Sequence, residues 1–303
     1  MIQVENLSKR FADVLAVNDI SFQVEKGMIW GFLGPNGAGK TTTMRILTGY
    51  LPPNEGQARI NGIDVSSDLA AIKRMVGYLP EVVPVYSELT VKEYLRFVAE
   101  LYGIERKKRR VAIDRVVERT NLHEVYGRLI KNISRGYRQR LGIAQAIIHE
   151  PEVLILDEPT IGLDPAQIIE IREMIRSFKE SATVILSSHI LAEITQVCDG
   201  AVIIKEGRLK ATLTRDEWGK NLEISAAVPI EETVCHSLEE SFPAVHEARA
   251  EDRVLKLEFK ETLSDFNPII KHLVEKDVKI REIKAGLEAL YMKVILAEEG
   301  RAS

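Results

Sequence analysis

Gly34-Pro35-Asn36-Gly37-Ala38-Gly39-Lys40-Thr41-Thr42 follows directly on the apolar run from Met28 to Leu33. The spacing is Gly-x-x-x-x-Gly-Lys-Thr, with a strand expected before it and a helix, Thr41 to Thr48, after it. Gly34, Gly37 and Gly39 free the backbone to turn successive N–H groups inward around phosphate oxygens. The helix then presents its positive N-terminal end to the same anion. On this pattern Lys40 reaches the β- and γ-phosphates and the Thr41 hydroxyl ligates Mg²⁺. The expected chemistry is nucleoside triphosphate binding.

A phosphate loop alone does not choose among kinases, GTPases and transport ATPases. Further downstream, Val153-Leu154-Ile155-Leu156 ends in Asp157-Glu158-Pro159-Thr160. A carboxylate at such a strand end suits Mg²⁺ held through its water shell, the role expected of Asp157. Glu158, one residue on, suits a base that polarises a water in line with the γ-phosphate. Ser134, in Ile133-Ser134-Arg135-Gly136-Tyr137-Arg138-Gln139-Arg140, reads either as a plain helix N-cap or as part of an anion site made with the Gly136 amide. Asp164, before Pro165, reads as another N-cap.

These motifs together resemble the ATP-binding-cassette family over residues 1–215. The family signature Leu-Ser-Gly-Gly-Gln-x-Gln-Arg keeps Ser134, Gly136, Gln139 and Arg140 here and departs at Ile133, Arg135 and Tyr137. The resemblance implies that Ser134 and Gly136 grip the γ-phosphate of ATP bound to a second subunit, so that two ATPs lie in a head-to-tail dimer. It implies that Gly162-Leu163-Asp164-Pro165 is the loop linking the two sites. It implies that His189, in Leu186-Ser187-Ser188-His189, contacts the γ-phosphate, and that Phe11 stacks on adenine. Glu81, in Val76-Gly77-Tyr78-Leu79-Pro80-Glu81, stands where the family has glutamine, and is expected to keep the metal-sensing role through a carboxylate oxygen. The nucleotide contacts implied are thus Phe11, Gly34, Pro35, Asn36, Gly37, Ala38, Gly39, Lys40, Thr41, Thr42, Ser134, Gly136 and Asp164. Lys40, Glu158 and His189 carry the catalysis, and Thr41, Glu81 and Asp157 the Mg²⁺.

The elements that must position these residues follow an α/β pattern. Ile2 to Glu5 and Ile20 to Val24 alternate as strands. Thr90-Val91-Lys92-Glu93 is a capping box opening a helix, and Ala112 to Asn121 reads as another. Val153 to Leu156 and Thr183 to Leu186 are continuous apolar runs suited to buried parallel strands. Between and after them, Pro165 to Lys179 and Ile190 to Val197 read as helices, and residues 201–213 as a hairpin. The fold expected is a P-loop NTPase cassette with a RecA-like core, an antiparallel β subdomain and an α-helical subdomain. Residues 216–303 read as a small accessory α+β domain in β-α-β-β-α-β order, the ferredoxin-like arrangement, with a last helix from Gly286 to Glu298 carrying Leu287, Leu290, Tyr291, Val294 and Ile295 on one side.

A net charge of −4 over 303 residues gives no reason to expect a nucleic-acid partner. Cys198 and Cys235 lack metal-ligand spacing and fit a reducing cytoplasm, Cys198 as a buried apolar residue. His236, His246 and His272 read as structural. Neither a signal peptide nor an apolar stretch of spanning length is seen, so action at a membrane requires a partner. Val82-Val83-Pro84-Val85-Tyr86 is an apolar loop, either buried in the core or exposed as the socket that the resemblance assigns to a membrane subunit. The basic run Arg106 to Arg110 reads as a solvated face or a contact for anionic lipid. The function expected is the ATP-hydrolysing subunit of an exporter, peripheral at the inner face of the cell membrane through a separate transmembrane permease. A cassette ATPase acting on ribosomes or chromosomes is the alternative, disfavoured because the chain has one cassette and no coiled-coil insertion.

Overall fold

The computed structural model describes residues 1–261, 263 and 265–296, with side chains described as far as 291. Contacts divide the chain into two compact units, Met1–Thr212 and Leu213–Ser303. The first opens with β1 (Ile2–Phe11), β2 (Val14–Val24) and β3 (Ile29–Leu33), then α1 (Lys40–Leu47), β4 (Glu55–Ile60), β5 (Ile63–Asp64), α2 (Leu69–Met75) and β6 (Val76–Leu79). It continues through α3 (Val91–Leu101), α4 (Arg106–Arg119), α5 (Arg135–Ile147), β7 (Val153–Leu156), α6 (Pro165–Ser177), β8 (Thr183–Ser188), α7 (Leu191–Val197), β9 (Gly200–Lys205) and β10 (Arg208–Thr214).

Two sheets share the work. An antiparallel sheet in the order β2-β1-β4-β5 packs against a six-stranded sheet in the order β10-β9-β3-β8-β7-β6. In the larger sheet β3, β8, β7 and β6 run parallel, and every residue of β3, β7 and β8 is buried. That burial explains their unbroken apolar runs. Leu33 pairs with Ser188, and Leu156 with Leu186, so the loops after β3, β7 and β8 leave from one edge. This carboxyl edge is where open α/β sheets bind ligands.

β1 runs to Phe11, more than twice as far as its initial alternation suggests. The irregularity lies at Asn6, whose φ of 48° sits in the left-handed region while its N–H bonds the Ser21 hydroxyl. The pairing register shifts there, so period-two alternation breaks although the strand continues. α4 likewise starts earlier than expected, at Arg106, placing the basic run in its first turns. Pairs to Glu105 from Lys107 and Lys108, to Glu100 from Arg109, and to Asp114 from Arg110 absorb most of that charge. The run is a solvated helix face. The capping box on α3 is present in full, with the Glu93 N–H 3.2 Å from Thr90 Oγ1 and the Thr90 N–H 2.8 Å from Glu93 Oε2.

The second unit contains α8 (Arg215–Trp218), β11 (Asn221–Ala226), α9 (Glu232–Ser241), β12 (Val245–Glu251), β13 (Val254–Phe259), α10 (Asn267–Glu275), β14 (Ile280–Ala285) and α11 (Leu287–Leu296). Its sheet order β12-β13-β11-β14, all antiparallel, is the split β-α-β arrangement. Leu222, Ile224, Leu255, Leu257 and Phe259 pack on one sheet face against Leu238 of α9 and Leu273 of α10. Leu287 is buried. Glu298, and the side chains of Val294 and Ile295, lie outside the described residues. His272 bonds Ser237 and meets Phe242 edge-on, and both cysteines are buried.

Candidate nucleotide site

The Leu33–Lys40 connection is shaped by close approaches. A Cβ on Gly34 would overlap the Ile204 carbonyl, and one on Gly39 would overlap the Ala16 carbonyl. Gly39 also has φ 103°, a conformation that other residues rarely adopt, immediately before α1. Gly207 donates its N–H to the Ala38 carbonyl at 3.0 Å, fixing the buried side of the loop, while Pro35, Asn36 and Gly37 stay exposed. The outcome is a cleft of about 280 Å³ lined by Ala16, Asn36, Gly37, Gly39, Lys40, Thr41, Thr42, Glu81, Glu158 and Ile161. The Lys-Thr pair, the Glu81 that replaces glutamine and the Glu158 after β7 therefore share one cavity.

Charge in this cleft is tightly partnered. Lys40 Nζ donates to the Gly34 carbonyl at 2.8 Å and the Pro35 carbonyl at 3.2 Å, and sits 3.3 Å from Glu158 Oε1. His189 Nδ1 lies 2.9 Å from the other oxygen, Oε2. Glu158 takes φ 48°, an uncommon left-handed conformation for a non-glycine residue, and its N–H donates to Ser187 Oγ at 2.8 Å. Such backbone conformations cost on the order of 1–3 kcal/mol and cluster at functional sites. Here the turn aims the carboxylate back at Lys40.

Asp157 is fully buried. Ser187 donates to its Oδ1 at 2.6 Å, while Oδ2 has no hydrogen-bond partner among the described residues. A buried carboxylate oxygen left over in this way needs a donor or a cation. Asp157 does not line the cleft, but with the Thr41 hydroxyl and Glu81, which do, it makes a donor set that is all oxygen, which fits Mg²⁺ and its waters. Buried Ser187 and Ser188, at the end of an apolar strand, are the site residues whose role sequence reasoning did not assign; polar side chains inside such a strand were the available signal.

Not every expected residue joins this cleft. Ser134, Gly136 and Asp164 do not line it. Ser134 is exposed and caps α5, accepting the Tyr137 N–H at 3.3 Å, and Asp164 is exposed and caps α6, accepting the Gln167 N–H at 3.0 Å. Gly136 faces Gln167, where a Cβ would come within 2.6 Å of the amide, so the starts of α5 and α6 pack together. Tyr137, the departure from the signature, donates to Glu124 at 2.7 Å with Arg140 over its ring. Phe11 is 44% exposed at the tip of the β1–β2 hairpin, with Lys9 Nζ 5.4 Å from its ring centre, so it is not a core residue.

The apolar loop is also exposed. Val82 is 80% and Tyr86 58% exposed, so burial in the core does not account for them. They border a groove of about 580 Å³ with Tyr50, Pro84, Tyr94, Phe97, Leu101 and Tyr102, and Arg45 as its charged member. Among the described residues no helix is long and apolar enough to cross a membrane.

Residues 17–161 match the model of the ABC transporter family. The chain is 42% identical over 222 residues to the bacitracin transport ATP-binding protein BcrA of Bacillus licheniformis, covering 73% of this chain and 72% of that one. An uncharacterized ABC transporter ATP-binding protein of Bacillus subtilis (strain 168), YcbN, is 34% identical over 302 residues and 97% of each chain, so that likeness extends through the second unit. The dimeric structure of MJ0796, a bacterial ABC transporter cassette, shares the fold at a TM-score of 0.65 and 20% identity, over 71% of this chain and 99% of that one. The chain belongs to the ABC transporter family, as one of its ATP-binding, ATP-hydrolysing subunits.

Proposed function

We propose that this chain is the motor of an exporter: two copies close over two ATPs, and the closure moves a separate transmembrane permease. The observation that carries this reading is the division of the machinery. Lys40 and His189 meet the two carboxylate oxygens of Glu158, while Ser134, also suited to phosphate, is exposed elsewhere on the same chain. A second chain brings the two halves together. In this reading residues 1–215 are the catalytic cassette and 216–303 an accessory domain.

The backbone amides of residues 36–41 receive the triphosphate at the start of α1, with Thr42 beside them. Lys40 exchanges the Gly34 and Pro35 carbonyls and Glu158 for phosphate oxygens. That exchange releases Glu158 to accept a proton from the attacking water, in step with phosphate binding. His189 and Lys40 then stabilise charge on the transferring phosphoryl group. Thr41, Asp157 and Glu81 would hold Mg²⁺, which supplies charge neutralisation on the phosphates. The partner's signature presents a serine hydroxyl, a glycine amide and a helix N-terminus to the γ-phosphate. Phe11 offers an exposed ring for adenine.

The groove around Val82 and Tyr86 is the docking surface for the permease, because an exposed apolar concavity of this kind receives an amphipathic helix. The protein then acts at the inner face of the membrane without entering it. Affinity capture of the full chain from detergent-solubilised membranes is expected to recover a polytopic membrane protein, and Tyr86→Glu to lose it while ATP binding persists. Recovery of ribosomes in its place would overturn the assignment.

A further inference from the structure

We propose that Glu193 is a positioning residue for hydrolysis, tying the loop that carries Glu158 to the loop that carries His189. Glu193 lies in the first turn of α7 and is 3% exposed. A carboxyl group buried this deeply is unfavourable unless its oxygens are hydrogen-bonded. Both are. Ser188 donates its hydroxyl to Oε2 at 2.7 Å, and Thr160 donates its hydroxyl to Oε1.

The two donors come from different loops. Ser188 immediately precedes His189, and Thr160 follows Glu158 by two positions. With its own O–H directed to Glu193, Ser188 Oγ accepts the Ile190 N–H at 2.9 Å, which closes a turn around His189. On the other side, the Ile161 N–H bonds the Glu158 carbonyl and the Leu163 N–H bonds the Thr160 carbonyl, both at 3.2 Å. Each loop is thus folded by its own backbone, and Glu193 sets one against the other.

Inside the sheet that join already exists, because Ser187 bonds both Asp157 and the Glu158 N–H. Beyond the strand ends no ladder remains to hold the loops. Glu193 continues the join outward by one residue row, to where His189 meets Glu158 at 2.9 Å. Two charged groups that must act on one water gain most of their effect from being held in register.

This rests on the reading of Glu158 and His189 as hydrolytic residues, and the test separates the two. Steady-state ATP turnover and ATP binding are measured for purified full-length Glu193→Ala, Glu193→Gln, His189→Ala and the Glu193→Ala/His189→Ala double variant. Glu193→Ala is expected to lower kcat about tenfold with KM and ATP affinity within about twofold, since one orienting carboxyl group is lost and no phosphate contact. Glu193→Gln recovers much of that loss, because an amide accepts from one hydroxyl and donates to the other, which can rotate. The double variant is expected to be no slower than His189→Ala alone, the mark of residues acting through one another.

Additive losses in the double variant, or wild-type kcat in folded Glu193→Ala while His189→Ala is inactive, overturn the proposal alone. Full turnover in His189→Ala overturns the underlying reading and the proposal with it. If Glu193→Ala does not fold, Glu193→Gln combined with Thr160→Val removes one donor at nearly constant shape, and a kcat equal to wild type in that variant counts against the tie in the same way.

Discussion

At the phosphate-loop end of the cassette, Lys40 and Glu158 are buried and paired at 3.3 Å, and the lysine's remaining protons go to carbonyls of its own loop. At the signature end, Ser134 is exposed and its hydroxyl accepts a single N–H from the first turn of α5. At the first site the chain itself meets the lysine's polar contacts, and ATP must displace some of them. The second is a helix start whose capping serine is open to solvent, and on the proposed reading its anion comes from a second chain. On the proposed reading, the buried pair serves the chain's own nucleotide and the exposed serine serves a neighbour's.

The harshest way to test that contrast is at Glu158. Replacing it with glutamine keeps the shape and removes the base. Turnover is expected to fall by about 10²–10⁴-fold. ATP binding survives, since the glycine loop and Lys40 are intact, and gel filtration with ATP should show a dimer that persists. A fast-hydrolysing monomer would break the comparison, because one chain would then suffice.

The signature end is probed by complementation. Lys40→Ala damages the cleft and Ser134→Arg damages the exposed helix start, so each variant alone is expected to be inactive as a dimer. Mixing the two restores one intact composite site per mixed dimer, and turnover should return to about a quarter of wild type when half the dimers mix. A mixture as dead as its components would mean that Ser134 serves its own chain.

Much of this site was legible in the residues themselves. Gly34, Gly37, Gly39 and Lys40 announce their chemistry because the loop needs those residue types at fixed offsets, and the structure puts all but the buried Gly34 on one cleft with Thr41, Glu81 and Glu158. The alternating and continuous apolar runs gave the core strands because burial sets both patterns. What stayed hidden has a physical reason in each case. The far half of β1 was masked by the register shift at Asn6, which breaks alternation without ending the strand. The start of α4 was masked by five basic residues whose partners, Glu100, Glu105 and Asp114, become neighbours only once the helices form. Glu193 was silent because a glutamate in an amphipathic helix reads as solvated; only folding brings it under Thr160 and Ser188. Whether Val82 and Tyr86 are inside or outside depends on tertiary packing, which an apolar loop does not disclose.

The smallest expected effect lies at the other end of the signature helix, and it asks whether that helix is anchored as its exposed start implies. His149, two residues beyond the last residue of α5, stacks on Tyr102 with ring centres 3.8 Å apart and planes 8° from parallel. Burial pushes its pKa down to about 4, against an ordinary value near 6.5. The unfolded chain therefore binds a proton more readily than the folded one in the interval between those values. Stability is full above about pH 6.5 and declines as pH falls toward 4, by no more than about 3 kcal/mol for this one group. His149→Phe keeps an aromatic ring against Tyr102 and removes the proton, so its Tm should fall less than wild type across that interval while turnover at neutral pH is unchanged. Parallel Tm curves for the two proteins would show that His149 is hydrated in the folded state. The tail of α5 would then be as open to solvent as Ser134 at its head, and the rigidity that the proposed contact with a second subunit asks of Ser134 would have to come from the packing of Gly136 on Gln167.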